Sequence, residues 1–185
     1  MSYFEKIGSL LSKIELKDAK GTNLIFDKAI SDLAAKVKAI VKKNNKVILV
    51  GNGGSASIAS HISADLLKNC KISAIVFNDA GLLTCLSNDF GYEYVFAKPL
   101  EVIAKKGDIL FAISSSGRSK NILNAVKSAK KRKLFIVTVS GFSKNNPLRK
   151  MGNLNFYVPS GSYGYVEVIH LAICHCIIDR IFYDL

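Results

Sequence analysis

Lys46-Val47-Ile48-Leu49-Val50-Gly51-Asn52-Gly53-Gly54-Ser55-Ala56-Ser57 is the stretch on which the architecture turns. Four consecutive apolar residues, two of them valine, read as a strand buried on both faces. The glycines that follow end it and open into a helical stretch predicted over 55–68. The same unit returns downstream. Asp108-Ile109-Leu110-Phe111-Ala112-Ile113 predicts a strand, Ser114-Ser115-Ser116-Gly117-Arg118-Ser119 a turn, and residues 119–131 a helix. Further strands are predicted at 72–77, 134–139 and 154–158. Further helices are predicted around 80–87, in a segment with Pro99 in its first turn that runs to Ala104 or Lys105, and over 163–182. Short apolar strands alternating with helices specify a parallel sheet covered on both sides, a three-layer α/β/α sandwich.

Upstream, Phe4, Ile7, Leu10, Leu11 and Ile14 recur at helical spacing and predict an amphipathic helix over about 3–17. A second helix carries Ile25, Phe26, Ala29, Ile30, Leu33, Val37, Ile40 and Val41 on one face. On this reading two helices precede the sheet, and the first lies outside the alternating unit, available to pack on another subunit. The chain divides into leading helices over 1–45 and an α/β core with its closing helix over 46–185, together one domain.

Composition narrows the function classes. The 185 residues are 49% hydrophobic and 22% charged, a globular mix that excludes wholesale disorder. No apolar run reaches the ~20 residues of a membrane helix, and residues 1–6 lack the pattern of a secretory signal. The four cysteines, Cys70, Cys85, Cys174 and Cys176, show no CxxC spacing, so free thiols in a reducing cytoplasm are expected. The net charge of +12 favours anionic partners. Yet the lysines are dispersed, and the one dense run, Lys130-Lys131-Arg132-Lys133, ends a helix, where cations complement the dipole. No nucleic-acid-binding motif accompanies them, and no nucleic-acid or membrane partner is expected.

The two turns carry the chemistry. Each places small residues and hydroxyls at a helix N-terminus, where unpaired N–H groups and the dipole favour an anion. Neither is a GxxxxGK[ST] or GxGxxG motif. Serine-capped turns are common on their own, but two in one parallel sheet point to a phosphate. On the flanking helices, His61 and Asp65 are four apart, and Glu167 and His175 eight apart, each pair on one face. Two histidines and two carboxylates could form a tetrahedral zinc site. They could equally supply an acid/base pair for moving a proton beside a carbonyl. His170 reads as a packed core residue, and Cys174 and Cys176, on other faces than His175, as buried free thiols.

Gly51-Asn52-Gly53-Gly54-Ser55 with His61, then Asn88-Asp89-Phe90-Gly91, then Ser114-Ser115-Ser116-Gly117-Arg118-Ser119, resembles the sugar isomerase (SIS) domain, and within it the phosphoheptose isomerase family. The resemblance covers nearly the whole chain. It implies a ketose–aldose isomerase converting sedoheptulose 7-phosphate to an aldoheptose 7-phosphate, for lipopolysaccharide or capsule, in a homotetramer with active sites at subunit interfaces. By resemblance, Ser114, Ser115, Ser116 and Ser119 hold the phosphate, while Asn52, Gly53, Ser55, Asp89 and Glu167 line the sugar. Asp65 and His175 become the acid/base pair, and His61, Asp65, Glu167 and His175 a zinc site. Departures are visible: Asp65 stands where the family carries Glu, Glu167 where it carries Gln, Ile58 for Asp and Asn69 for Arg. Tyr163-Gly164-Tyr165-Val166 replaces a Thr-Ala-Arg-Ile stretch. The same resemblance allows a different class, a non-catalytic SIS protein that binds a sugar phosphate or a protein such as a replication initiator. Binding without conversion distinguishes it.

Overall fold

The structure, a computed structural model, describes residues 1–183. A six-stranded sheet has the order β1-β6-β5-β4-β2-β3, with strands β1 (Glu15–Asp18), β2 (Val47–Val50), β3 (Ala74–Val76), β4 (Ile109–Ser114), β5 (Phe135–Ser140) and β6 (Leu154–Tyr157). β3, β2, β4, β5 and β6 run parallel, while β1 pairs antiparallel with β6, Glu15 opposite Tyr157. Every residue of β2 and β4 is buried. Full burial of each valine, leucine, isoleucine or phenylalanine among them contributes roughly 1.5–3 kcal/mol, which is why these strands carry no polar alternation.

Alternate strand residues face two cores. Val47, Leu49, Ile109, Phe111 and Ile113 point to one side, against α1 (Tyr3–Leu11), α2 (Phe26–Val41), α3 (Gly54–Lys68) and α7 (Tyr163–Phe182). Ile48, Val50, Leu110 and Ala112 point to the other, against α5 (Ala97–Ile103) and α6 (Lys120–Lys131), with Leu83 and Leu86 of α4 (Ala80–Phe90) alongside. The three-layer sandwich follows. At the amino ends of the strands, Asp108 ties β2 to β4. Burial opposes its ionisation, but the Lys46 ammonium at 2.8 Å, the backbone N–H groups of Lys105 and Lys46 and the Asn45 amide together hold its carboxyl below the usual range.

Two elements differ from expectation. The first helix stops at Leu11, not near 17, and residues 15–18 form β1, so a strand separates the two leading helices. Ile14 continues the helical stripe of Leu10 and Leu11, whereas Leu16, two residues on, fits only an alternating spacing, and the edge of β6 provides the hydrogen bonds that fix the strand. α4 also runs on to Phe90, three residues past the expected end.

Connectivity locates the crevice. From β2 the chain crosses through α3 to β3, and from β4 through α6 to β5, in opposite directions along the sheet and over opposite faces. The carboxyl ends of β2 and β4 are therefore the topological switch point, where open α/β sheets bind ligands. The glycine turn and the serine turn occupy those two ends.

Candidate active site

The glycine turn is shaped by close approach. A Cβ on Gly51 would stand 2.5 Å from the backbone carbonyl carbon and oxygen of Ser55, and Gly53, capping α3, has φ +53°. Asn52, held between them, exchanges two hydrogen bonds with Asn121 of α6 (3.0 and 2.8 Å) and accepts a third from the Tyr92 hydroxyl at 3.0 Å. Ser55 is buried in the first turn of α3. A cavity of about 320 Å³ opens beside the turn, lined by Asn52, Ser57, Ser60, Asn78, Tyr92 and Phe96 among others. A larger one, about 440 Å³, lies by the amino ends of β5 and β6, away from the switch point.

In the serine turn, Gly117 N–H donates to Ser114 Oγ (3.2 Å) and Arg118 N–H to Ser116 Oγ (3.2 Å), while the Ser114 and Ser119 hydroxyls stand 3.5 Å apart. Ser115 Oγ is buried without a hydrogen-bond partner. The loop after β5 braces this turn from behind. Gly141 N–H donates to Ser115 O, Leu148 N–H to Gly117 O, and the buried Asn146 amide to Ser140 Oγ and the Gly141 carbonyl. Asp89 is exposed on α4, its carboxylate taking the Asn88 amide at 3.0 Å and the Cys85 thiol at 3.7 Å.

α3 and α7 lie side by side and parallel, which brings one cluster together and leaves one residue out. Asp65 Oδ2 lies 3.5 Å from His61 Nε2 and 3.9 Å from His175 Nδ1, and the two imidazoles stand 5.2 Å apart. Asn69, one turn on, donates to Asp65 Oδ1 at 3.3 Å and fixes the carboxylate. Glu167 is not part of this cluster. Its carboxylate sits over Gly54, where a Cβ would meet Oε2 at 2.5 Å, eight residues and about 12 Å back along α7 from His175.

One ligand atom from each of His61, Asp65 and His175 lies within 4.8 Å of the others. Two imidazoles and a carboxylate are zinc donors, and three protein ligands with an open position match a catalytic site. A tetrahedral zinc spaces its donors by roughly 3.3 Å, within reach of rotation by histidine side chains 54% and 37% exposed. The donor set fits the metal. Cys174 is buried as expected, and burial pushes its thiol up to about 12, whereas Cys176, also expected to be buried, is exposed; neither joins the cluster.

The SIS domain family profile matches residues 2–141. The chain is 34% identical over 180 residues to the phosphoheptose isomerase of Cytophaga hutchinsonii (92% of this chain, 94% of that one), and 39% identical over 158 residues to that of a Bradyrhizobium species (80% and 78%). The chain belongs to the phosphoheptose isomerase family of SIS-domain proteins. The solved phosphoheptose isomerase of Neisseria gonorrhoeae superposes with a TM-score of 0.83 at 25% identity, covering 97% of this chain and 95% of that one.

Against that family background the departures take structural form. Ile58 is core, 7% exposed, and Asn69 is the residue that grips Asp65. Tyr165 packs on Tyr3 of α1 with ring centroids 4.9 Å apart, and Tyr163 packs on Phe142 at 4.7 Å. Sequence reasoning singled out Asn69 only as a departure from the family pattern, and missed Tyr92, Asn121 and Asn146. A buried-face asparagine two residues after Ser119 was the one available signal for Asn121, and Tyr92, three residues after Asp89, had none.

Proposed function

We propose that this protein isomerises sedoheptulose 7-phosphate to an aldoheptose 7-phosphate, a step toward the heptose units of lipopolysaccharide or capsule. The observation that carries the reading is the Asp65–His175 pair, a carboxylate and an imidazole 3.9 Å apart on helices that both begin at the ligand crevice. The two turns hold the phosphate and sugar. One member of the pair removes a proton from C1, and the electrons run through C1–C2 to leave an enediolate oxygen on O2. The other member protonates O2, and return of a proton to C2 with loss of the O1 proton completes the aldose. His61, Asp65 and His175 would hold zinc, which supplies positive charge against the enediolate oxygen; Glu167 joins them only by leaving Gly54.

Asp65 lies eleven residues beyond Gly54, about 16 Å along α3. That sets the backbone of Asp65 well along α3 from the turn, and we read the site as completed by a second copy of the chain, in a homo-oligomer of the expected tetrameric kind. The four free thiols support a reducing, cytoplasmic setting.

The test is incubation of metal-analysed protein with sedoheptulose 7-phosphate in deuterated water, followed by NMR. Deuterium on the carbon beside the carbonyl and appearance of aldose are expected, with turnover reduced at least about 100-fold in Asp65→Asn. Ligand-induced stabilisation without exchange, with or without added zinc, would sink the enzyme reading in favour of a binding protein.

A further inference from the structure

The side-chain amide of Asn52 has two possible faces, and the network around it permits only one. The backbone N–H of Ile122, in the first turn of α6, donates to Asn121 Oδ1 at 2.9 Å. A backbone N–H can only donate, so that atom is oxygen, and the orientation of the buried Asn121 amide is settled. Its nitrogen therefore donates to Asn52 Oδ1 at 2.8 Å, and its oxygen takes one Asn52 Nδ2 hydrogen at 3.0 Å. The Tyr92 hydroxyl adds a donor to the same Asn52 oxygen at 3.0 Å. Reversing Asn52 would set oxygen against oxygen and nitrogen against nitrogen across the Asn121 pair.

What remains is one amide hydrogen on Asn52 that no described residue uses, at the half-buried edge of the cavity beside the turn. We infer that Asn121 and Tyr92 are positioning residues that lock Asn52 as a hydrogen-bond donor, so that it recognises an oxygen acceptor on the bound sugar. The lock joins three segments: the glycine turn through Asn52, the α6 terminus behind the serine turn through Asn121, and the chain after Asp89 through Tyr92. Asn121 matters twice, because the oxygen that orients Asn52 also satisfies an otherwise open N–H at the start of α6.

The kinetic half of this inference rests on the isomerase reading, and a double-mutant cycle tests it. Tyr92 is 54% exposed, so Tyr92→Phe removes the hydroxyl without disturbing the core. It should lower kcat/KM for sedoheptulose 7-phosphate about 5-fold in the wild-type background and less than about 1.5-fold in Asn52→Ala. An equal loss in both backgrounds would show that Tyr92 acts independently of Asn52 and overturn the proposal. A second measurement needs no turnover. In 15N-labelled protein without substrate, one Asn52 side-chain hydrogen should exchange with water markedly more slowly than the other, and in Asn121→Ala both should exchange alike. Fast exchange of both in the wild type overturns the lock, even if that variant does not fold. If the wild type fails to convert sedoheptulose 7-phosphate, the activity reading falls and the exchange data alone decide the orientation of Asn52.

Discussion

His170 shows what one side chain can contribute against the fold. It is fully buried in α7, and burial pushes its pKa down to about 4, with the Ser140 backbone offsetting only part of the shift. Between about 6.5 and 4 the unfolded chain takes up a proton that the folded chain refuses, so stability falls as pH falls through that window. From pH 7 to pH 5 this removes about 2 kcal/mol. In urea titrations, the wild type should lose about that much more than His170→Leu over the same interval; equal losses would mean that the imidazole is not held neutral. His170 was legible from sequence as a core residue on an apolar helix. Asp65, His61 and His175 were also legible, because helical spacing puts polar groups on one face. The partners of Asn52 were not, since they lie 40 and 69 residues away and nothing local announces them.

At the scale of elements, the start of α3 separates two kinds of glycine. A Cβ on Gly51 meets backbone atoms of Ser55, which cannot give way without opening the first turn of the helix. A Cβ on Gly54 meets only the Glu167 carboxylate, the far end of a flexible side chain. Thermal unfolding should therefore show Gly51→Ala destabilised by about 2–4 kcal/mol and Gly54→Ala by less than about 1 kcal/mol, alanine being the better helix former. Similar shifts for the two variants would contradict this geometry. The strand–turn–helix units around both turns were readable because their signals are local: an apolar run, glycines or serines, then helical periodicity. β1 was not, because its identity depends on β6, whose paired residues lie far along the chain (Glu15 with Tyr157), while Ile14 locally continues the helical stripe of Leu10 and Leu11.

For the whole molecule, the question is what one copy lacks. Phe4 is 81% exposed and Leu11 on the same helix is also open to solvent, as are Leu67 on α3 and Val168 and Phe182 on α7. These apolar groups lie on the layer that carries His61, Asp65 and His175, and covering them with a second copy would bring another chain to the cluster. If a second copy completes the site as proposed, each site takes its turn from one copy and its Asp65 and His175 from the next. Complementation decides this. Asp65→Asn and a Ser116→Ala/Ser119→Ala double variant should each be nearly inactive alone. Co-expressed, half of the randomly paired copies are mixed, and in a mixed pair one of the two sites receives both intact halves. Recovery of about a quarter of the wild-type activity is expected. If turn and acid/base pair served the same site from one chain, no mixed site would be whole, and co-expression would recover nothing.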